Sequence, residues 1–153
     1  MLIRMHPPSV EESLVSEEYR VRQADLNGYG LLHGGRLLTL ADETGYLAAH
    51  RFSHRDCLTV AVHRTCFYHP ATKGDSICLR AMLALTGASS LWTRVEAENT
   101  NGEILMDGVF VYAAVDGNRR PVRVGGIQAR TATGRELQQA MQQLKTAVQG
   151  DKR

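Results

Sequence analysis

The residues from Asn27 to Asp42 read Asn-Gly-Tyr-Gly-Leu-Leu-His-Gly-Gly-Arg-Leu-Leu-Thr-Leu-Ala-Asp, and they hold the groups best placed to do chemistry. Gly34 and Gly35 open a helix, where the first N–H groups have no intrahelical partner and the dipole is positive. Such a site binds anions and stabilises an oxygen that gains charge as a carbonyl is attacked. Asp42 follows within apolar text (Leu37, Leu38, Leu40, Ala41, then Leu47, Ala48 and Ala49), where a carboxylate is costly unless paired or used. Asn27 adds a neutral amide able to hold a water or a carbonyl oxygen. An amide, a helix N-terminus and a carboxylate are a workable set for acyl transfer to water, the acid acting as general base or nucleophile. The same residues also admit a structural reading, a glycine-rich turn followed by an acid that bonds a nearby backbone group.

Spacing adds a constraint. Asp42 lies eight residues past Gly34, about 12 Å along a helix axis, so a carbonyl held at Gly34 is out of reach of Asp42 in the same helix. Two such helices packed antiparallel across a two-fold axis would set Gly34 of one beside Asp42 of the other. The expectation is a dimer with shared sites.

The elements that must carry these residues follow from pattern. Residues 1–18 read as an N-terminal arm holding Pro7, Pro8 and an acidic group, and Tyr19 to Ala24 as a short first strand. The helix begins at Gly35 and runs to about Arg51, apolar nearly all round and therefore central and buried. Four β-branched and aromatic stretches follow: Cys57 to Tyr68, Ser76 to Leu85, Leu91 to Asn99 and Ile104 to Val115, separated by Pro- and Gly-bearing turns. One helix and four long antiparallel strands make an α+β domain whose sheet must curl around the helix. Leu137, Ala140, Met141, Leu144, Ala147 and Val148 recur at helical spacing, giving an amphipathic helix over 134–149 that lies on the domain or on a partner subunit.

A length of 153 residues predicts one domain. A formal charge of +2 is too mild for a nucleic-acid partner and fits a small anionic ligand met by local Arg and Lys residues. No window has the apolar length of a membrane span or of a signal peptide. Cys57, Cys66 and Cys78 are an odd number without a Cys-x-x-Cys pair, and reduced thiols in the cytoplasm are the simplest expectation.

Several stretches in order resemble the hotdog-fold acyl-CoA thioester hydrolases, in the branch of the bacterial short- and medium-chain and brain-type enzymes. They are Asn27, Leu-His-Gly-Gly at 32–35 and Asp42-Glu43; Thr59-Val60-Ala61-Val62; Phe67, Pro70 and Gly74-Asp75; Gly87-Ala-Ser89-Ser90; and Phe110-Val-Tyr-Ala-Ala-Val-Asp116. The likeness covers roughly residues 19 to 124. It implies a hotdog fold, a curled antiparallel sheet around a long central helix, dimerised through sheet edges and often assembled further into tetramers or hexamers. It implies an acyl-CoA substrate, with no separate cofactor because CoA is part of that substrate. Asp42 would be the catalytic carboxylate, Asn27 its partner amide from the opposite subunit, and Gly34 or Gly35 the N–H that polarises the thioester. Gly87, Ser89 and Ser90 would lie by the CoA phosphates, with Arg119 and Arg120 as further phosphate ligands. Thr59 and Val60 would line the substrate, and Tyr46, bulkier than the small residue often found there, would narrow the acyl pocket. The chain departs from the family after Pro121, where Val-Arg-Val-Gly-Gly126 replaces Pro-rich text.

His50, His54, Cys57, His63, Cys66 and His69 are dense, but their spacing matches no zinc pattern, and no metal is expected. His33 reads as a positioning or packing residue, and Trp92 as core or interface. Two other functions fit the same fold, a non-catalytic acyl-CoA-binding module and a dehydratase or hydratase. The acid at 42 weighs against the first. The second wants a His paired with the helix Asp, which His33 does not clearly supply.

Overall fold

The computed structural model describes residues 8–150. A short 3-10 turn over Glu11–Ser13 leads into strand β1 (Val15–Arg20), and a second such turn, Gln23–Asp25, leads to the glycine-rich loop. Helix α1 (Gly34–Ser53) is followed by β2 (Asp56–Phe67), β3 (Ser76–Thr86), β4 (Ser90–Asn99), β5 (Ile104–Val115) and helix α2 (Ala132–Gly150). The five strands form one antiparallel sheet in the order β1-β3-β4-β5-β2.

Alternation along the strands builds two apolar layers. Phe110 and Tyr112 of β5, with Leu79 and Leu83 of β3, face Leu37, Leu40, Ala41 and Ala48 of α1. The alternate residues of β5, Val109 and Val111, with Trp92 of β4, face Met141 and Leu144 of α2. The hotdog arrangement is therefore present, with its sheet wrapped on α1. The tail helix lies on the outer face of its own domain, where it buries Met141 and Leu144. Glu11 fixes the approach to α2: its carboxylate accepts the backbone N–H groups of Arg130 (at 2.5 Å) and Thr131 (2.9 Å).

The expected start of the sheet needs correction. The first strand is Val15–Arg20, not Tyr19 to Ala24, and it pairs residue for residue with Ser76–Ala81 of β3. Its Glu17 and Glu18 concealed it, yet charges on the exposed face of an edge strand are ordinary. Residues 8–18 are likewise no free arm, since Val10 and Val15 are buried and Ser9 bridges to Gln128. Residues 1–7 of the expected arm lie outside the described residues. The other elements start and end within a few residues of expectation.

Strand β2 is the second edge of the sheet, and among the described residues no strand lies beyond it. Its register against β5 slips between Thr59 and Ala61 and again between His63 and Cys66, so the strand carries two bulges. Leu58, Val60, Val62 and Phe67 on this edge are all 45–58% exposed. An apolar, open edge invites another strand.

Candidate active site

The loop before α1 is tied down at both ends. Asn27 Oδ1 accepts the N–H groups of Tyr29 (2.9 Å) and Leu31 (3.1 Å), closing an Asx turn. Gly30 sits at φ +75°, a conformation glycine adopts without strain. With its oxygen committed to the loop, Asn27 presents only the amide NH2 to a ligand. Asp25, 3% exposed, sits beneath the loop and accepts the Tyr19 hydroxyl (2.6 Å), the Arg22 N–H (2.8 Å) and Arg36 Nε (3.1 Å). Burial alone would raise its pKa, but the Tyr19 hydroxyl, the Arg22 N–H and Arg36 outweigh that and hold it below the ordinary 3.8. Its backbone carbonyl also takes the His33 N–H at 2.8 Å. This anchor, absent from the sequence reading, sets where α1 begins.

At that start His33 is the N-cap, and its Nδ1 accepts the Gly35 N–H at 3.0 Å. The Gly35 amide is therefore occupied, whereas the Gly34 N–H has no such side-chain partner among the described residues. Beside it is a cleft of about 310 Å³ lined by Asn27, Gly34, Leu37, Phe67, Tyr68 and Leu105 among others. Asn27 and Gly34 thus line one largely apolar cavity.

Asp42 does not join them. It lies two turns along α1 and is half-buried, not enclosed as the apolar text implied, because α1 turns this side toward the open β2 edge. Thr59 Oγ1 donates to its Oδ1 at 2.8 Å, across from Tyr112 in the β2–β5 register. The Tyr112 hydroxyl reaches the Asp42 backbone carbonyl (2.7 Å) and Oδ1 (3.1 Å). Both side-chain donors meet the same carboxylate oxygen, Oδ1, and leave Oδ2 without a protein donor among the described residues. Burial first, and then the neighbouring Asp42 charge, push the Tyr112 phenol far above its usual pKa of 10.0 and keep it protonated. Tyr46, one turn on, stacks on His50 with ring centroids 5.5 Å apart. Val60 sits at the first bulge of β2, 58% exposed.

The remaining expected residues gather at one end of the sheet. The β3–β4 turn closes with the Gly87 N–H on the Ser90 carbonyl, and Ser89 accepts the Ala114 N–H from β5. The segment after β5 folds back on this turn: Val124 bonds Ala88, and Thr86 Oγ1 bonds the Gly125 carbonyl. Arg119 and Arg120 project from the turn that Asp116 closes by accepting the Asn118 and Arg120 N–H groups. The Val-Arg-Val-Gly-Gly departure thus still packs against the turn holding Ser89. Lys145 of α2 is an addition: a Cβ at Gly87 would lie 2.8 Å from its Nζ. Its polar helix face gave no sign of this, since only the docking of α2 brings it there.

The histidines and cysteines are spent separately. His50 Nδ1 contacts the Arg55 carbonyl, His63 stacks on Trp92, and His69 Nδ1 contacts the Ile104 carbonyl. Among the described residues no three His, Cys, Asp or Glu side chains converge to hold a metal. Among them also no helix is long and apolar enough to cross a membrane.

Residues 29–106 match the model of the thioesterase superfamily. An uncharacterized acyl-CoA thioester hydrolase of Bacillus subtilis is 28% identical over 126 residues, covering 79% of this chain and 73% of its own. The acyl-CoA thioester hydrolase YciA of Salmonella typhimurium is 31% identical over 113 residues, covering 67% and 85%. The crystal structure of an apo hexameric acyl-CoA thioesterase superposes with a TM-score of 0.87 at 24% identity, covering 94% of this chain and 95% of that one. At that identity the structural likeness is one of fold.

Proposed function

The chain belongs to the thioesterase superfamily, and on that premise we propose that it hydrolyses acyl-CoA thioesters to a carboxylic acid and free CoA. The observation that carries the chemistry is Asp42, a carboxylate held by Thr59 and Tyr112 through one oxygen while the other stays open. The names of the relatives supply the substrate class.

The site is completed by a second copy. Gly34 and Asp42 are about 12 Å apart on one rigid helix, whereas a carbonyl carbon must lie within roughly 3.5 Å of its attacker. The β2 edge offers the remedy. Phe67 lies by Gly34 and Thr59 by Asp42. Both pairs are centred alike, on Leu38 of the helix and His63 of the strand. A two-fold axis near that centre, with β2 edges paired antiparallel, sets Asp42 and Thr59 of one protomer over Asn27 and Gly34 of its partner. It also covers Leu58, Val60 and Val62. The hexameric relative is consistent with such pairs assembling further.

Within that site the thioester oxygen lies on the Gly34 N–H at the positive end of α1, which stabilises the oxyanion as the carbon becomes tetrahedral. Asp42 Oδ2 either takes a proton from water as the water attacks or attacks itself, giving an anhydride that water then cleaves. In either route the C–S bond breaks and CoA leaves as a thiolate that is then protonated. The Asn27 NH2 donates to the water or carbonyl. The acyl group enters the cleft of Leu37, Phe67 and Leu105, with Tyr46 and Val60 on the approach. The nucleotide end lies by Gly87, Ser89 and Ser90 with Lys145, Arg119 and Arg120, cations suited to phosphate. A free-thiol assay over a panel of aliphatic and aromatic acyl-CoAs tests the reading. Release of CoA that disappears in Asp42→Ala is expected. Stoichiometric acyl-CoA binding without turnover would favour a binding module, and turnover untouched by Asp42→Ala would overturn the proposed chemistry.

A further inference from the structure

Tyr112 and Gly45 stand out because neither is required by the chemistry proposed above, yet both are built around Asp42. Gly45 is buried in the middle of a 20-residue helix, where glycine is unfavourable relative to alanine. A Cβ placed there would lie 2.5 Å from the Tyr112 phenol oxygen, 3.2 Å from its Cζ and 3.1 Å from Thr93 Oγ1. Thr93 cannot easily yield, since it is wholly buried and its hydroxyl is bound to the Phe110 carbonyl at 2.9 Å. The space above Gly45 is thus filled by the phenol, with Thr93 fixed beside it.

The hydrogen bonds that this group donates to α1 go to Asp42. It donates toward the Asp42 backbone carbonyl at 2.7 Å and to Asp42 Oδ1 at 3.1 Å, and a backbone hydrogen bond from Tyr46 acts on the same oxygen. A buried phenylalanine would fill the same volume and leave no polar atom to satisfy, so the hydroxyl is not explained by packing. It is explained by the two Asp42 oxygens it spans, one on the main chain and one on the side chain, which together fix χ1 and the carboxylate plane.

We infer that Tyr112 is the positioning residue for Asp42, and that Gly45 is glycine because it admits the phenol that holds the carboxylate with Oδ2 toward the substrate. The inference rests on the acyl-CoA hydrolase reading. Tyr112 touches no substrate; it acts through Asp42. Thr59 secures the same oxygen from the exposed side, and Tyr112 secures it from the core.

The test is a set of Tyr112→Phe, Gly45→Ala and the double variant, with Asp42→Asn beside them, in a free-thiol assay with acyl-CoA. Tyr112→Phe is expected to lower kcat about 10-fold or more with KM within about twofold, because a hydrogen bond to a charged group is lost while the substrate contacts remain. Gly45→Ala is expected to lower kcat comparably and to lower the melting temperature. In the double variant the loss of kcat stays near that of one single variant, and part of the melting temperature returns, since the atom met at 2.5 Å is gone. If Gly45→Ala does not fold, the Tyr112→Phe kcat decides. A kcat within twofold of the parent, or losses that multiply in the double variant, would overturn the inference. If Asp42→Asn keeps full activity, it is the hydrolase mechanism that falls, which separates the two failures.

Discussion

Mixing two inactive chains is the sharpest consequence of a site divided along one helix. Take Asn27→Ala and Asp42→Ala, each purified with a different affinity tag and each leaving one half-site intact. Gly34 and Asp42 stand about 12 Å apart on α1, and Asn27, whose turn leads into Gly34, stays at the Gly34 end. No rotamer of an aspartate closes that distance. A homodimer of either variant therefore has two damaged sites. In a mixed dimer both substitutions fall in one site, and the other site is wholly parental. Random exchange of equal amounts makes half of the dimers mixed, each with one of two sites intact, so about a quarter of parental activity is expected. The measure is thiol release from acyl-CoA after subunit exchange, with sequential purification on the two tags confirming that mixed dimers formed. Activity should peak at equal proportions of the two chains. Doubly tagged dimers no more active than the sum of the variants would refute the shared site and place both groups in one chain.

Other outcomes follow from single contacts. Asp42→Asn should reduce kcat by roughly 10²- to 10⁴-fold, the range for a lost general base, and steady-state kinetics checks it. Thr59→Val keeps the shape but removes the 2.8 Å donor to Asp42 Oδ1; a loss of about 10-fold in kcat is expected from a charged hydrogen bond. Lys145→Ala should raise KM for acyl-CoA several-fold and leave kcat nearly unchanged, with less effect on a substrate truncated to the pantetheine thioester. Asp25 has a folded pKa below its unfolded value, so its contribution to stability is present above the ordinary 3.8 and is lost as the pH falls through the lower, folded value. Thermal melting should show that acid loss flattened in Asp25→Asn, and that variant should melt lower than the parent at neutral pH.

Periodicity and turn chemistry made most of the fold legible. The four strands from 56 to 115 and the helix after Gly34 appear within a few residues because Pro, Gly and Asn punctuate them and apolar periods fill them. β1 was misplaced because its pairing with β3, not its own text, makes Val15–Arg20 a strand. Asn27, Gly34 and Asp42 could be picked out because an amide, paired glycines and an acid in apolar text are local features with chemical meaning. The pattern did not reveal that His33 takes the Gly35 amide, a consequence of rotamer and cap geometry.

The sequence by itself determined the two helices, the four strands from 56 to 115, the acid at 42 and the 12 Å problem, since these depend on local pattern, residue type and helical rise. Tertiary structure decided which groups hold that acid. Tyr112 is 70 positions from Asp42 and Thr59 is 17, and no local rule connects them. Register across β2 and β5 puts the two donors side by side, and the missing Cβ at Gly45 lets one of them through. Likewise only the docking of α2 on the outer face brings Lys145 to Gly87. Local propensity fixes what each segment can be, while long-range burial and pairing fix which side chains meet.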